Sequence, residues 1–370
     1  MEEKQFTNSL LFKAFVATFF IGILIFVLIY FKDLLKPLAL GILFWYLIKA
    51  FNGFIGKLKV RGNPLPIWIR RTIALIVILL LVQASIQIVV SNVGQMMTNY
   101  TVYQNTLDTF LIGLGDKLGI KNITEWMQKQ VGGLDIQGFL QGVLTSTSSM
   151  LGNIFLLIIY TIFLLLEESS FARKITLMFN APGQAHKIDR LLGQIYSSTN
   201  KYVAVKAYVS ALTGILSYIV LIIVGVDFAF LWSVLIFALN FIPYVGSIIA
   251  TLLPAVFSIV QFGTIWPFVW VFGIIMTIQT VIGNYIEPKV MGKSLNLSPL
   301  VVLIALSFWG YVWDLLGMLL SVPITSIMLI VFAQFPATRR IAILLTENGD
   351  IESLQIKEDE PEVQKMGLPG

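Results

Sequence analysis

The sequence contains no cysteine, which excludes disulfides, thiolate metal sites and a cysteine nucleophile. It contains one histidine, His186, in a hydrophilic stretch. A single imidazole is too little for a usual metal site, and it reads as a surface residue. Charge is scarce: 12% of residues are Asp, Glu, Lys or Arg, against about a quarter in soluble domains. Apolar residues make up 57%, and mean hydropathy is +0.86. An ordinary soluble domain is therefore excluded. Neither H-E-x-x-H nor G-x-S-x-G occurs. Gly292-Lys-Ser294 resembles the end of a phosphate loop, but Glu287 stands where that loop needs its first glycine. No enzyme class and no cofactor is implied. The net charge of +5 is concentrated between apolar runs, which points to membrane topology and not to nucleic acid.

What is present is a series of hydrophobic segments, each long enough to enter a bilayer. The first, Leu10–Phe31, is too long for the core of a cleavable signal and lacks its cleavage site. The second, Leu34–Ile48, has Pro37 at a position where a proline can start a helix. Lys49–Arg71 follows with Lys49, Lys57, Lys59, Arg61, Arg70, Arg71 and no acid, so this loop and both termini are expected on the cytoplasmic side. Further spans are expected at Thr72–Val90, Leu151–Leu166, Val203–Val224 and Pro267–Ile286. Ser210, Gly214 and Ser217 give the fifth span a small-residue stripe suited to helix contacts in lipid. Gln83 and Gln87 line one face of the third.

Residues 93–147 carry four acids and three bases and suit the outer side. Val93, Met96, Met97, Tyr100, Tyr103 and Leu107 fall at helical spacing. So do Ile120, Ile123, Met127 and Val131, and again Ile136, Phe139, Leu140, Val143 and Leu144. These read as amphipathic helices that pack together or lie on the membrane surface.

Two apolar stretches are too long for one span and are interrupted midway. In 228–262 the break is Asn240-Phe-Ile-Pro-Tyr-Val-Gly246, where Pro243 removes a backbone donor and Gly246 permits a sharp turn. In 297–335 it is Ser307-Phe-Trp-Gly-Tyr-Val-Trp-Asp-Leu-Leu-Gly317, with Pro299 at the start, Pro323 further on and Asp314 as the lone charge. Broken backbone at membrane depth is tolerated only inside protein or beside water. Re-entrant hairpins are expected, and fully crossing kinked hairpins are the other reading. Two such segments flanking a continuous span suggest a transport site built from broken helices. Glu287 is expected to end the intervening span. Thr280, Gly283 and Asn284 share its helical face, with Gln279 beside it. It is a candidate proton carrier or cation ligand, or a helix-end carboxylate paired to Lys289 or Lys293 as an inner gate. Asn240, Pro243, Gly246, Gln279, Asn284, Glu287, Asp314 and Gly317 are the path candidates. Pro288, Lys289, Gly292, Lys293, Pro299 and Pro323 are the gate or structural ones.

Asn240-Phe-Ile-Pro-Tyr-Val-Gly246, Ile286-Glu-Pro-Lys-Val-Met-Gly292-Lys-Ser-Leu, Leu297-Ser-Pro-Leu300 and Gly317-Met-Leu-Leu-Ser-Val-Pro323 resemble, in order and spacing, the signature blocks of the autoinducer-2 exporter family. The resemblance is strong over residues 195–335. It rests on hydropathy alone in the N-terminal half, and it departs at Trp313 and Asp314, where the family more often has small or apolar residues. It implies an eight-segment, oligomeric protein of the prokaryotic inner membrane. Members have been associated with export of the furanone signal autoinducer-2 and with sodium- or lithium-proton antiport.

The expectation is an all-α polytopic protein: helices over 1–92, an extracytoplasmic segment over 93–147, a transport region over 148–345 and a disordered cytoplasmic tail over 346–370. The expected function is export of a small polar organic solute. Monovalent cation/proton antiport and a non-transporting scaffold are the alternatives.

Overall fold

The computed structural model describes residues 10–56, 59–60, 63–119, 136–178, 184–292 and 296–355. The chain is an all-α polytopic membrane protein. In order the helices are α1 (Leu10–Tyr30), α2 (Lys32–Ile55), α3 (Ile67–Thr98), α4 (Tyr100–Leu118), α5 (Ile136–Met178), α6 (Gln184–Val224), α7 (Ala229–Leu239), α8 (Val245–Phe262), α9 (Ile265–Val281), α10 (Glu287–Met291), α11 (Pro299–Gln334) and α12 (Arg339–Leu345). A π turn, Ile282–Ile286, joins α9 to α10. The one strand ladder among the described residues pairs Lys59–Val60 with Asn63–Pro64 in the basic loop.

Among the described residues six helices are long and apolar enough to cross a membrane: Lys32–Gly53, Ile67–Thr98, Ala185–Val224, Val245–Phe262, Ile265–Met291 and Pro299–Gln334. Phe15–Tyr30 and Ala229–Leu239 are shorter apolar helices. Several helices outrun the spans read from hydropathy, because polar residues that cannot lie in lipid still continue a helix in water. α5 has 43 residues and α6 has 41, about 65 and 62 Å at 1.5 Å per residue, roughly twice the hydrocarbon thickness. The expected fourth span lies within α5. Pro37 does not start its helix but sits inside α2, which begins at Lys32. Membrane helices tolerate such a proline where neighbours re-satisfy the freed backbone.

The described residues form two compact units. One draws on Met1–Trp45, Leu156–Ser197 and Asn296–Gly370, the other on Tyr46–Phe155 and Ser198–Leu295. In the second unit Val93 and Met96 of α3, Leu231, Trp232 and Ile236 of α7, Ala250 and Phe257 of α8, and Val271 and Ile275 of α9 make one buried cluster, with Met97 and Tyr103 packed on it. The first amphipathic stripe of 93–147 is thus packed inside protein at Val93 and Met96. The stripe at Ile120–Val131 lies outside the described residues.

Both broken segments are helical hairpins. In the second unit α7 and α8 fold back at Asn240–Tyr244. α7 has 11 residues and rises only about 16 Å, which is short of a crossing. In the first unit α11 is broken at Trp313 and Asp314, whose backbone is not helical. The two tips share a construction. Each has a non-glycine residue with positive φ, Tyr244 at 58° and Asp314 at 55°, a backbone state that costs of order 1–3 kcal/mol. Each is followed by a glycine pressed on a carbonyl of the opposite arm, Gly246 on Leu239 and Gly317 on Trp309.

The α11 hairpin is held at its tip and its base. Lys36 Nζ donates to Asp314 Oδ2 at 2.6 Å, and Trp313 Nε1 donates to the Leu28 carbonyl at 3.1 Å. At the base, Leu297 bridges Thr346, Asn296 Nδ2 donates to the Asp350 carbonyl, and Gln334 Nε2 donates to the Leu354 carbonyl. Ile351 and Leu354 are buried. Residues 346–355 are therefore ordered, against the expectation of a disordered tail from 346, because their apolar side chains and carbonyls complete the hairpin base. Residues 356–370 lie outside the described residues. The Lys36–Asp314 pair is exposed, with side chains 27% and 72% accessible. Lys36→Gln is expected to change unfolding free energy by no more than about 1 kcal/mol, read from thermal melts in detergent.

Candidate functional site

α6 carries a line of polar side chains through its apolar half. Thr199, Tyr202, Lys206, Ser210, Thr213 and Ser217 recur every three or four residues, hence on one face, and all are buried. The line is about 27 Å long at the helical rise, close to the hydrocarbon thickness. Two neighbouring elements dock on it through polar contacts one turn apart. Lys206 Nζ donates to Glu287 Oε1 at 2.7 Å, and Asn240 Nδ2 donates to Ser210 Oγ at 3.2 Å. Thr213 donates to its own helix, to the Val209 carbonyl. Thr199 Oγ1, Tyr202 OH and Ser217 Oγ are buried with no hydrogen-bond partner among the described residues. Tyr202 lies within the field of Glu287.

The Lys206–Glu287 pair is mostly buried, its side chains 7% and 18% exposed. Removing a lysine and a carboxylate from water costs several kcal/mol per ion, and only mutual pairing offsets it. Each therefore holds the other in place. Around them Val205, Val209 and Ile282 form an apolar wall with Leu212, Leu216, Ile278 and Ile286, which keeps the pair from bulk water.

The π turn aims Glu287 at Lys206. Glu287 N–H bonds the Ile282 carbonyl, five residues back, and such wide turns recur at functional sites. Glu287 does not end its helix as expected: the apolar helix runs on to Met291. The wide turn relieves the clash that the Pro288 ring would make with the carbonyl four residues earlier. It also rearranges the polar face expected there. Thr280 and Asn284 are exposed, while Gln279 is buried and donates to Thr251 Oγ1 and the Ser247 carbonyl, both at 3.1 Å.

The other sequence candidates are placed as follows. Pro243 is at the first hairpin tip, its carbonyl accepting from Val245 N–H at 2.6 Å. Gly246 and Gly317 are buried at the two close approaches. Pro288 lies in the first turn of α10, and Gly292 closes that helix at φ +59°. Pro299 begins α11 and Pro323 is buried within it. Lys289 is exposed and Lys293 lies outside the described residues. Among the described residues the partner of Glu287 is thus corrected: it is Lys206, 81 positions away, and not Lys289. Sequence reasoning missed Lys206 and Tyr202. The signal was there, since Lys206 is the lone charge in Val203–Val224, and an ionisable residue in a span marks function by default. Asp314, Gly317, Pro299 and Pro323 belong to the first unit, and Asn240, Pro243, Gly246, Gln279, Asn284 and Glu287 to the second.

The family model described as AI-2E family transporter matches residues 14–337, nearly the whole described fold. The chain belongs to the AI-2E transporter family. Three relatives show the range within this family. The AI-2 transport protein TqsA of Escherichia coli K12 is 30% identical over 284 residues, 75% of this chain and 81% of that protein. "Putative transport protein YhhT" of the same strain is 29% identical over 295 residues, 76% of this chain and 83% of that one. A transport protein of similarly general name from Haemophilus influenzae is 37% identical over 224 residues, 60% of this chain and 62% of its own length. As an AI-2E transporter the protein is a multi-pass membrane protein of a transport family. The matched region contains both hairpins and the whole polar face of α6.

Proposed function

We propose that this transporter exports a small polar organic solute across the prokaryotic inner membrane by alternating access, with both termini cytoplasmic and the polar face of α6 forming part of the path. One observation carries the reading: a buried line of six polar side chains in an apolar helix, three of whose hydroxyls have no hydrogen-bond partner among the described residues. Helix packing alone does not require such groups, whereas a polar solute or water passing along the face would satisfy them. The Lys206–Glu287 pair acts as the lock, closed when paired and parted when solute competes for its hydrogen bonds. Because the two charges cancel, the face favours a neutral solute. The basic, acid-free loop 49–71 supports the orientation. Autoinducer-2 is the first solute to assay, since one relative is named for its transport.

The test is purified protein in sealed liposomes, following autoinducer-2 release and, separately, internal pH during sodium or lithium pulses, beside Glu287→Gln. Solute release is expected, falling at least about tenfold in the folded Gln variant, with no proton flux tied to the cation. Cation-dependent proton flux that disappears in Glu287→Gln would assign the protein to antiport. Flux of neither kind for any solute tried would support a scaffold.

A further inference from the structure

A cleft of about 440 Å³ opens in the second unit, away from the Lys206–Glu287 pair and used by none of the roles above. That volume suits a small organic molecule. One wall is a row of amides on α3 and just beyond it, Asn92, Gln95 and Asn99, and the others include Tyr103, Tyr218 and Phe230, with Asp227 among them. None of the lining residues is basic.

Asp227 is held without being neutralised. Its Oδ2 accepts from the Tyr103 hydroxyl at 3.1 Å, its N–H donates to Gln261 Oε1 at 2.8 Å, and its carbonyl accepts from Trp232 Nε1 at 3.1 Å. Among the described residues it forms no ion pair. Burial, and then the Asp227 charge, push the Tyr103 phenol up to about 12, so it stays a donor through the neutral range. The start of α7 abuts the cleft, but a helix N-terminus offsets only about half a charge, and the cleft stays negative. Phe228, also in its lining, is held at φ 59°. For a bulky residue that is a costly backbone state, and such states cluster at binding sites. Tyr218 and Phe230 stand edge-to-face, with ring centroids 5.9 Å apart.

A fixed, unpaired carboxylate beside aromatic rings and amides has the chemistry that recognises an organic cation. The acid supplies charge, the ring faces attract it, and the amides bond a neighbouring hydroxyl or amine. We infer that the Asp227 cleft is a binding site for a small organic ammonium compound bearing a hydrogen-bonding group. The site is chemically distinct from the charge-balanced face of α6 and does not depend on its transport role.

The test is equilibrium binding, independent of flux. Full-length protein in phosphatidylglycerol nanodiscs, whose headgroups carry no ammonium, is titrated with choline and with its uncharged carbon isostere 3,3-dimethylbutan-1-ol by ligand-observed NMR. Choline is expected to bind at least about tenfold more tightly than the isostere. Asp227→Asn, which keeps the size and the acceptor for Tyr103, should abolish that preference. Tyr218→Leu should weaken choline by about three- to fivefold. Unchanged melting of both variants excludes misfolding. Equal binding of choline and the isostere, a preference that survives Asp227→Asn, or no choline binding up to about 10 mM would overturn the inference.

Discussion

Lys206→Met is expected to lower the stability of the protein by about 3–5 kcal/mol, because it leaves the Glu287 carboxylate buried without its counter-charge. Glu287→Leu should do the same from the other side, leaving an ammonium among Val205, Val209 and Ile282. The double variant Lys206→Met/Glu287→Leu should recover most of the loss and come within about 1–2 kcal/mol of the wild type, since an apolar pair of similar volume replaces a buried ion pair at little net cost. The non-additivity is the readout: a coupling of at least about 4 kcal/mol in denaturant or thermal unfolding in detergent. Simple additivity would mean that the two side chains do not hold each other in solution. The same double variant separates stability from transport. It should fold and fail to carry solute, because nothing remains to open and close.

The second large effect is at the hairpin tips. A Cβ on Gly246 would lie 1.9 Å from the Leu239 carbonyl oxygen, and one on Gly317 would lie 1.8 Å from that of Trp309. Both obstacles are backbone, so no side-chain rotation relieves them and the arms must part. Gly246→Ala and Gly317→Ala should each cost more than about 4 kcal/mol, the range reserved for strained or overpacked sites. They should appear as loss of monodisperse protein on gel filtration. Gly273→Ala is the control. It lies within α9 with nothing inside 4 Å of the added carbon and should be neutral or stabilising by up to about 1 kcal/mol. Equal damage at all three positions would show that the tips are not built on close backbone contact.

These sites also mark what could be read from the sequence. The two breaks were legible because proline, glycine and a lone charge inside apolar runs have local consequences. The membrane class followed from composition, and Gly246 could be named as a turn residue. The carbonyl beneath each glycine could not, since it depends on how closely two arms return. The partner of Glu287 was misread for a related reason. Lys289 and Lys293 are near in sequence, but position 289 lies on the exposed side of the helix, while Lys206 comes from a helix that sequence alone does not place beside it. The order of 346–355 was missed because its few apolar residues, Ile351 and Leu354, gain their value only against the hairpin base. Trp313 and Asp314, which depart from the family pattern, supply the second tip's polar contacts with Leu28 and Lys36.

The wide turn at Ile282–Ile286 amounts to a helix holding one residue more than its own phase requires. In a regular α-helix each residue advances the azimuth by about 100°. A chain shortened by one residue anywhere in that turn would close into ordinary helix and keep everything downstream in its present phase. Were the same residues wound as ordinary helix instead, everything downstream would be rotated by about 100°, and position 287's azimuth would be taken by Ile286, which has neither charge nor side-chain donor. The ionic contact with Lys206 is thus a matter of counting as much as of chemistry. A carboxylate at this point in the chain meets the lysine only because the helix before it is, by one residue, out of step.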